Sequence, residues 1–206
     1  YLRELQHQRI SPGLHAAMIA YSNHRESNQR NGLASSGEQG DRLMSVVSTL
    51  LDLGESPSIE DPLGRNSLRI AIELGDLDLL SLLLARYPAL VVRRSRHDLS
   101  TPIHLAANLG QLDVLQALLG PLRERFTLRG GDGSSWIDRG AYRSFLELRN
   151  HAGQTARELA AARSNEGQDR RALFQALDRH YENARILSLA IPVQAELRST
   201  RPLGAV

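Results

Sequence analysis

Nothing constrains this chain more than the recurrence of one pattern. Residues 101–119 read TPIHLAANLGQLDVLQALL, and residues 66–84 read NSLRIAIELGDLDLLSLLL. Leu68 answers Ile103, Ala71 answers Ala106, Gly75 answers Gly110, Leu77 answers Leu112, and Leu83 with Leu84 answers Leu118 with Leu119. Each copy predicts two short helices around a tight turn. In the second copy Thr101 is a good N-cap, and Pro102 sits where its missing N–H costs nothing. Gly110 suits the left-handed conformation that ends a helix. Leu112, Val114, Leu115, Leu118 and Leu119 give the following helix an apolar face. One such hairpin cannot bury both of its faces alone, so it calls for copies on either side.

With Asp61, Gly64, Thr101, Pro102, His104, Ala106, Ala107, Gly75 and Gly110 in place, the pattern resembles the ankyrin repeat, D-x-x-G-x-T-P-L-H-L-A-A-x-x-G-x-L. The resemblance implies an all-α solenoid of about four helix-turn-helix repeats, with short β-turn fingers and two insertions. One domain, 1–206, is expected, with repeats at about 11–60, 61–95, 96–149 and 150–184. Insertions are placed at 23–40 and 120–149, and a C-terminal capping tail at 185–206. At the other end Leu2, Leu5 and Ile10 are candidates to cover the first repeat, because a solenoid end needs a cap.

The first repeat is degenerate. SPGLHAAMIA, 11–20, keeps Leu14, His15 and Ala17 in register, and its second helix is delayed to 41–53 with Met44, Val46, Val47, Leu50 and Leu51 at apolar positions. Between them 23–40 is rich in Ser, Asn, Gly and charge and reads as a loop. In the second repeat Ser67 and Arg69 replace Pro and His, which is expected to loosen the helix start a little. In the second insertion 122–126 extends the preceding helix, 130–135 is a glycine-rich turn and 141–148 a short helix. The fourth repeat keeps Gly153, Thr155, Leu159, Ala160 and Ala161, and its second helix runs over 169–184 with Leu173, Phe174 and Leu177 buried.

Aromatic residues make up only 4% of the chain, so the core must be built from Leu, Ala, Ile and Val. There is no cysteine, which removes disulfides and thiolate chemistry. No apolar run is long enough for a membrane helix. All 25 basic residues are arginine. Without lysine a P-loop cannot form, and no G-x-S-x-G or H-E-x-x-H is present. The lysine-free composition has two readings. One is the codon bias of a GC-rich genome; the other is selection against ubiquitin acceptors, as in a bacterial effector delivered into eukaryotic cells. Aromatic stacking platforms are absent and acids interrupt the basic stretches, so nucleic acid is not the expected partner.

These readings leave a non-enzymatic protein-interaction module with no cofactor and no metal, monomeric in isolation and intracellular (in cytoplasm or nucleus, or in host cytoplasm for an effector). It is expected to be the targeting part of a longer protein or, alternatively, a stand-alone scaffold or inhibitor acting by occupancy. The resemblance implies that a partner meets the fingers and first helices. Its variable positions fall on Pro62, Leu63, Arg65, Glu73 and Leu74 in repeat two, on His97, Asp98, Ser100, Asn108 and Leu109 in repeat three, and on His151, Ala152, Gln154, Ala162 and Arg163 in repeat four. Arg93, Arg94 and Arg96 make the finger before repeat three basic, which predicts a partner with an acidic patch; the bland reading is a solvated basic edge. Trp136, the one tryptophan, either tucks against repeat three or stands exposed as an anchor. His15 and His104 occupy the position whose imidazole, in this family, bonds backbone groups of neighbouring repeats.

Overall fold

The structure is a computed structural model and describes residues 12–30, 38–129 and 134–186. It is mostly helical. Among the described residues the α-helices are α1 (Pro12–Arg30), α2 (Glu38–Asp52), α3 (Ser67–Leu74), α4 (Leu77–Arg86), α5 (Pro102–Leu109), α6 (Leu112–Arg125), α7 (Arg139–Leu146), α8 (Ala156–Ala162) and α9 (Gln168–Ile186). A 3₁₀ turn, Pro88–Val92, follows α4, and a second, Ser164–Glu166, precedes α9. Strands β1 (Thr127–Arg129) and β2 (Ser135–Ile137) form an antiparallel pair between α6 and α7.

The repeated pattern folds twice in the same way. Gly75 and Gly110 take φ of 66° and 76°, left-handed conformations that turn α3 into α4 and α5 into α6. The next residue then donates its N–H back into the first helix: Asp76 to the Ala71 carbonyl, Gln111 to that of Ala106, each at 3.1 Å. Asp76 also caps α4, its carboxylate accepting from the N–H groups of Asp78 and Leu79.

The helices pack in two rows. In the first, α1 lies on α3, α3 on α5 and α5 on α8; in the second, α4 lies on α6 and α6 on α9. The 3₁₀ turn wedges between α4 and α6, while α7 rests on α9. One continuous core runs through the stack, from Leu14, Met18 and Val47 through Leu68, Leu79 and Leu83 to Ile103, Leu115, Leu118, Leu146, Leu173 and Leu177. It is largely aliphatic, with Tyr21, Tyr142 and Phe145 as its buried aromatic members.

Several expectations need correction. Residues 23–30 are not a loop, because α1 continues to Arg30. No glycine or proline interrupts that stretch, and Arg25 fastens it to the next helix pair through Asp76 at 3.2 Å and Asp78 at 2.5 Å. Val46 is 47% exposed, and Met44 and Leu50 are only half-buried; Val47 and Leu51 carry the buried face of α2. Phe174 is also half-buried. With Ser67 and Arg69 in place of Pro and His, α3 is capped by the Asn66 side chain, which accepts the Arg69 N–H at 2.8 Å. The second insertion holds a hairpin where only a turn and helices were expected. Residues 38–40, also expected in the first loop, begin α2; the rest of that loop at 31–37, the proposed cap at 1–10, the tail from 187 onward and the glycine turn at 130–133 lie outside the described residues.

Candidate functional site: a groove between the third and fourth helix pairs

Three loops project beside the first helices. Each closes on itself through a backbone bond, from Asp61 N–H to the Arg65 carbonyl, from Ser95 to Ser100 and from Asn150 to Gln154, at 2.9 Å in every case. Side chains brace these turns from within. The Asp61 carboxylate accepts from the N–H groups of Leu63 and Arg65 and from the Arg65 guanidinium. Asn150 Oδ1 accepts from the Gln154 N–H at 3.0 Å, and Asp98 Oδ1 from the Ser100 N–H at 3.0 Å. Neighbouring fingers are joined: the His151 N–H donates to the Asp98 carbonyl at 2.8 Å, and the Arg96 N–H to Glu60 Oε1 at 3.2 Å.

Two side chains carry the first helices onto the next finger. His104 is buried at the N-terminal turn of α5. Its Nδ1 accepts from the Thr101 N–H at 3.3 Å, and its Nε2 lies 3.1 Å from the Gln154 carbonyl. With Nδ1 accepting, Nε2 holds the proton and donates it to that carbonyl. Burial pushes the imidazole's pKa down, more strongly than the carbonyls of Gln154 and Leu148 raise it. This is the role expected of His104. His15 differs: it is buried and its pKa is lowered, foremost by burial, yet its Nε2 meets no hydrogen-bond partner among the described residues.

Arg69 stands where His104 stands one pair earlier and does similar work with a longer side chain. Its Nε donates to Glu73 Oε1 and its Nη1 to Asp98 Oδ2, both at 2.9 Å. Partial burial pushes the Asp98 carboxyl up, but the Ser100 N–H and the Arg69 guanidinium outweigh it and hold the group below its ordinary range.

Between these fingers, α5 and α8 lies an open groove of about 500 Å³. Arg69, Asp98, Ser100, Asn150, His151 and Gln154 supply its polar lining; Leu105, Ala152 and Leu159 supply apolar patches, with His104 and Asn108 between. Six sequence-predicted residues meet there: Asp98, Ser100, Asn108, His151, Ala152 and Gln154. Arg69, Leu105, Asn150 and Leu159 were missed. The signal for Arg69 was present, since an arginine cannot be buried as the family histidine is and must reach toward a carboxylate.

The other predicted residues lie elsewhere or are engaged. Arg65 pairs with Asp61 at 2.8 Å and Glu73 at 3.5 Å, so Arg65 and Glu73 are held in a network behind the groove. Leu74 is half-buried at the end of α3. Arg93 lines a separate small hollow with Asn66 and Thr101. Arg94 is structural, its guanidinium donating to the Leu99 carbonyl at 3.0 Å and the Arg149 carbonyl at 2.7 Å. Arg163 donates to the Asn108 carbonyl, tying α8 to α5. Arg96, His97 and Leu109 are exposed. Trp136 is 52% exposed on β2, which removes the alternative that it tucks into the third pair.

Among the described residues no group of His, Asp and Glu side chains is arranged to hold a metal ion. No described helix is long and apolar enough to cross a membrane. Residues 98–122, which run from Asp98 in the second of these loops through α5 and most of α6, match the family model for the ankyrin repeat. No curated protein matches the chain.

Proposed function

We propose that this ankyrin-repeat chain is a protein-recognition module whose partner lies in the groove between α5 and α8. Ankyrin repeats generally mediate protein–protein interaction and are typically non-catalytic. The observation that carries the reading is that the groove opens at the matched repeat and gathers six predicted contact residues, Asp98, Ser100, Asn108, His151, Ala152 and Gln154. The four stacked helix pairs are read as four repeats of one solenoid. Amides, a hydroxyl and small apolar patches suit an extended protein segment, whose backbone needs donors and acceptors on both sides.

The acidic-patch reading is retained in narrower form. Arg94 is spent on backbone carbonyls and Arg69 on two carboxylates. Arg96, exposed at the finger tip, and Arg93 beside it are left to meet acidic groups of the partner. Rim charges of this kind chiefly tune association rate and selectivity.

A photo-crosslinking residue placed at Asn108, and separately at exposed Arg171 on α9, tests the site. Site-dependent capture of one protein through position 108, weakened by Gln154→Ala, supports the reading. Equal capture through both positions would sink it.

The biological setting is read as the targeting part of a longer protein, with occupancy by a stand-alone scaffold as the alternative. The lysine-free sequence is compatible with an effector working beside host ubiquitin ligases, the alternative being the codon bias of a GC-rich genome. Introducing lysine at exposed Arg125 and Arg171 then shortens the protein's lifetime in eukaryotic cell extract; an unchanged lifetime removes this support.

A further inference from the structure

The hairpin in the second insertion carries features that the fold itself does not need. Its base is anchored. Phe126 packs edge-on against Tyr142 and tilted against Phe145, both with ring centroids 5.6 Å apart. The Asp138 N–H donates to the Phe126 carbonyl at 2.7 Å, and Thr127 Oγ1 to the Arg123 carbonyl at 2.9 Å. Beyond this base Leu128 and Trp136 stand directly opposite each other across the strands. Directly opposed residues share a face of the sheet, so the two make one apolar patch. They are 47% and 52% exposed. An exposed tryptophan on a held platform is ready to bind without the cost of ordering it first.

The surroundings are basic. Arg123, Arg125 and Arg129 are all exposed, with Glu124 the one acid between 123 and 129. Neither Arg125 nor Arg129 forms an ion pair with a described residue. Tryptophan and arginine together are the residues in which interface energy concentrates. The guanidinium fork pairs with carboxylates in a directed way that suits protein acids. Strands of three residues leave main-chain groups along the outer edges of the pair for an extended segment to join.

We propose that the β1–β2 hairpin is a second docking site, separate from the groove, that takes an acidic protein segment carrying apolar side chains. Leu128 and Trp136 meet the apolar side chains, and Arg125 and Arg129 meet the carboxylates. Neither Leu128 nor Trp136 lines the groove. A membrane surface fits less well, because a single Leu–Trp pair offers little apolar area and stable membrane binding scales with that area.

Trp136 is the sole tryptophan in the sequence and so reports on its own site. The probe is a short tryptophan-free peptide in which Glu alternates with Leu and Phe, mixed with the full chain. Trp136 emission is expected to shift to the blue and to be shielded from acrylamide, with affinity falling as salt rises. By anisotropy of the fluorescein-labelled peptide, Trp136→Ala and the double reversal Arg125→Glu with Arg129→Glu each weaken binding by on the order of 10-fold, with circular dichroism unchanged. Asn108→Arg, in the groove, leaves it intact. The proposal is overturned if the same peptide with Lys for Glu binds as well, or if the hairpin variants bind normally. It is equally overturned if Asn108→Arg abolishes binding, which would place the peptide in the groove. A blue shift with phosphatidylserine–phosphatidylcholine vesicles and none with the peptide would make the hairpin a lipid contact instead.

Discussion

Arg69 Nη1 lies 2.9 Å from Asp98 Oδ2, so a side chain of α3 holds the finger that leads into α5. His104 repeats the relation one step on, reaching the Gln154 carbonyl of the next finger. The groove wall is therefore braced from behind by the preceding helix pair. Arg69→Ala leaves the partly buried Asp98 carboxylate without its cation and Glu73 with only Arg65, 3.5 Å away. It is expected to cost about 1–2 kcal/mol in urea unfolding, as for a lost charge-assisted hydrogen bond. The Asp98 carboxyl, followed by NMR, should then titrate at higher pH; an unmoved titration would show that the pair is incidental.

Leu99 has φ of 55° and is the one non-glycine residue with positive φ in the structure as described. Glycine stands two residues before the helix cap in the neighbouring fingers, Gly64 before Asn66 and Gly153 before Thr155, with φ of 73° and 75°. A branched side chain pays about 1 kcal/mol or more for that conformation. Leu99 is 40% exposed and recovers part of this by burial. Leu99→Gly is thus expected to raise stability by up to about 1 kcal/mol, read as a higher urea midpoint with unchanged slope. A lower midpoint would mean that its packing outweighs the strain.

What could be read from the sequence was what neighbours in sequence decide. The pairs α3–α4 and α5–α6 were legible because cap, apolar stripe and left-handed glycine all lie within a few residues of one another. Asp98, Asn108, His151 and Gln154 were legible because the repeat pattern fixes their register. The extension of α1 was not, since 23–30 is polar and its helix is held by Asp76 and Asp78, about 50 residues away. Nor was the hairpin, whose three-residue strands are too short to show a period. Arg94 misled for a similar reason: its charge was visible, but the two carbonyls that consume it were not.

Gly110 tests the turn itself. Its φ is 76°, and a Cβ there would come within 2.9 Å of the Arg170 guanidinium carbon. At Gly153 the φ is nearly the same, with nothing within 4 Å. Gly153→Ala should therefore show only the backbone cost, about 1 kcal/mol. Gly110→Ala should cost much the same, because the obstruction is the far end of a flexible arginine that can swing aside. A clearly larger loss in chemical unfolding would show that the Arg170 guanidinium is held against this turn.

Acid should weaken the protein in two separate windows. Burial lowers the pKa of His104 below its ordinary 6.5, and His15 and His180 are lowered in the same direction, foremost by burial. Their unfolded forms then bind protons more readily than the folded ones. The stabilisation they give is complete above about pH 6.5 and is lost as pH falls toward the folded values. For His104 the groups that matter are the carbonyls of Gln154 and Leu148, with Arg94 opposing protonation and Asp98 favouring it. Asp61, Asp98 and Glu158 are also held below their ordinary values, but those values are 3.8, 3.8 and 4.5, so their contribution disappears only at lower pH. The urea midpoint should accordingly fall between about pH 7 and about pH 5, largely above the window in which Asp61, Asp98 and Glu158 lose their contribution. His104→Gln, which keeps a side-chain amide to reach the Gln154 carbonyl but cannot titrate, should flatten that slope. If the variant and the parent chain lose stability in parallel over this range, the neutral histidine bridge between α5 and the 150–154 loop is not what acid disrupts.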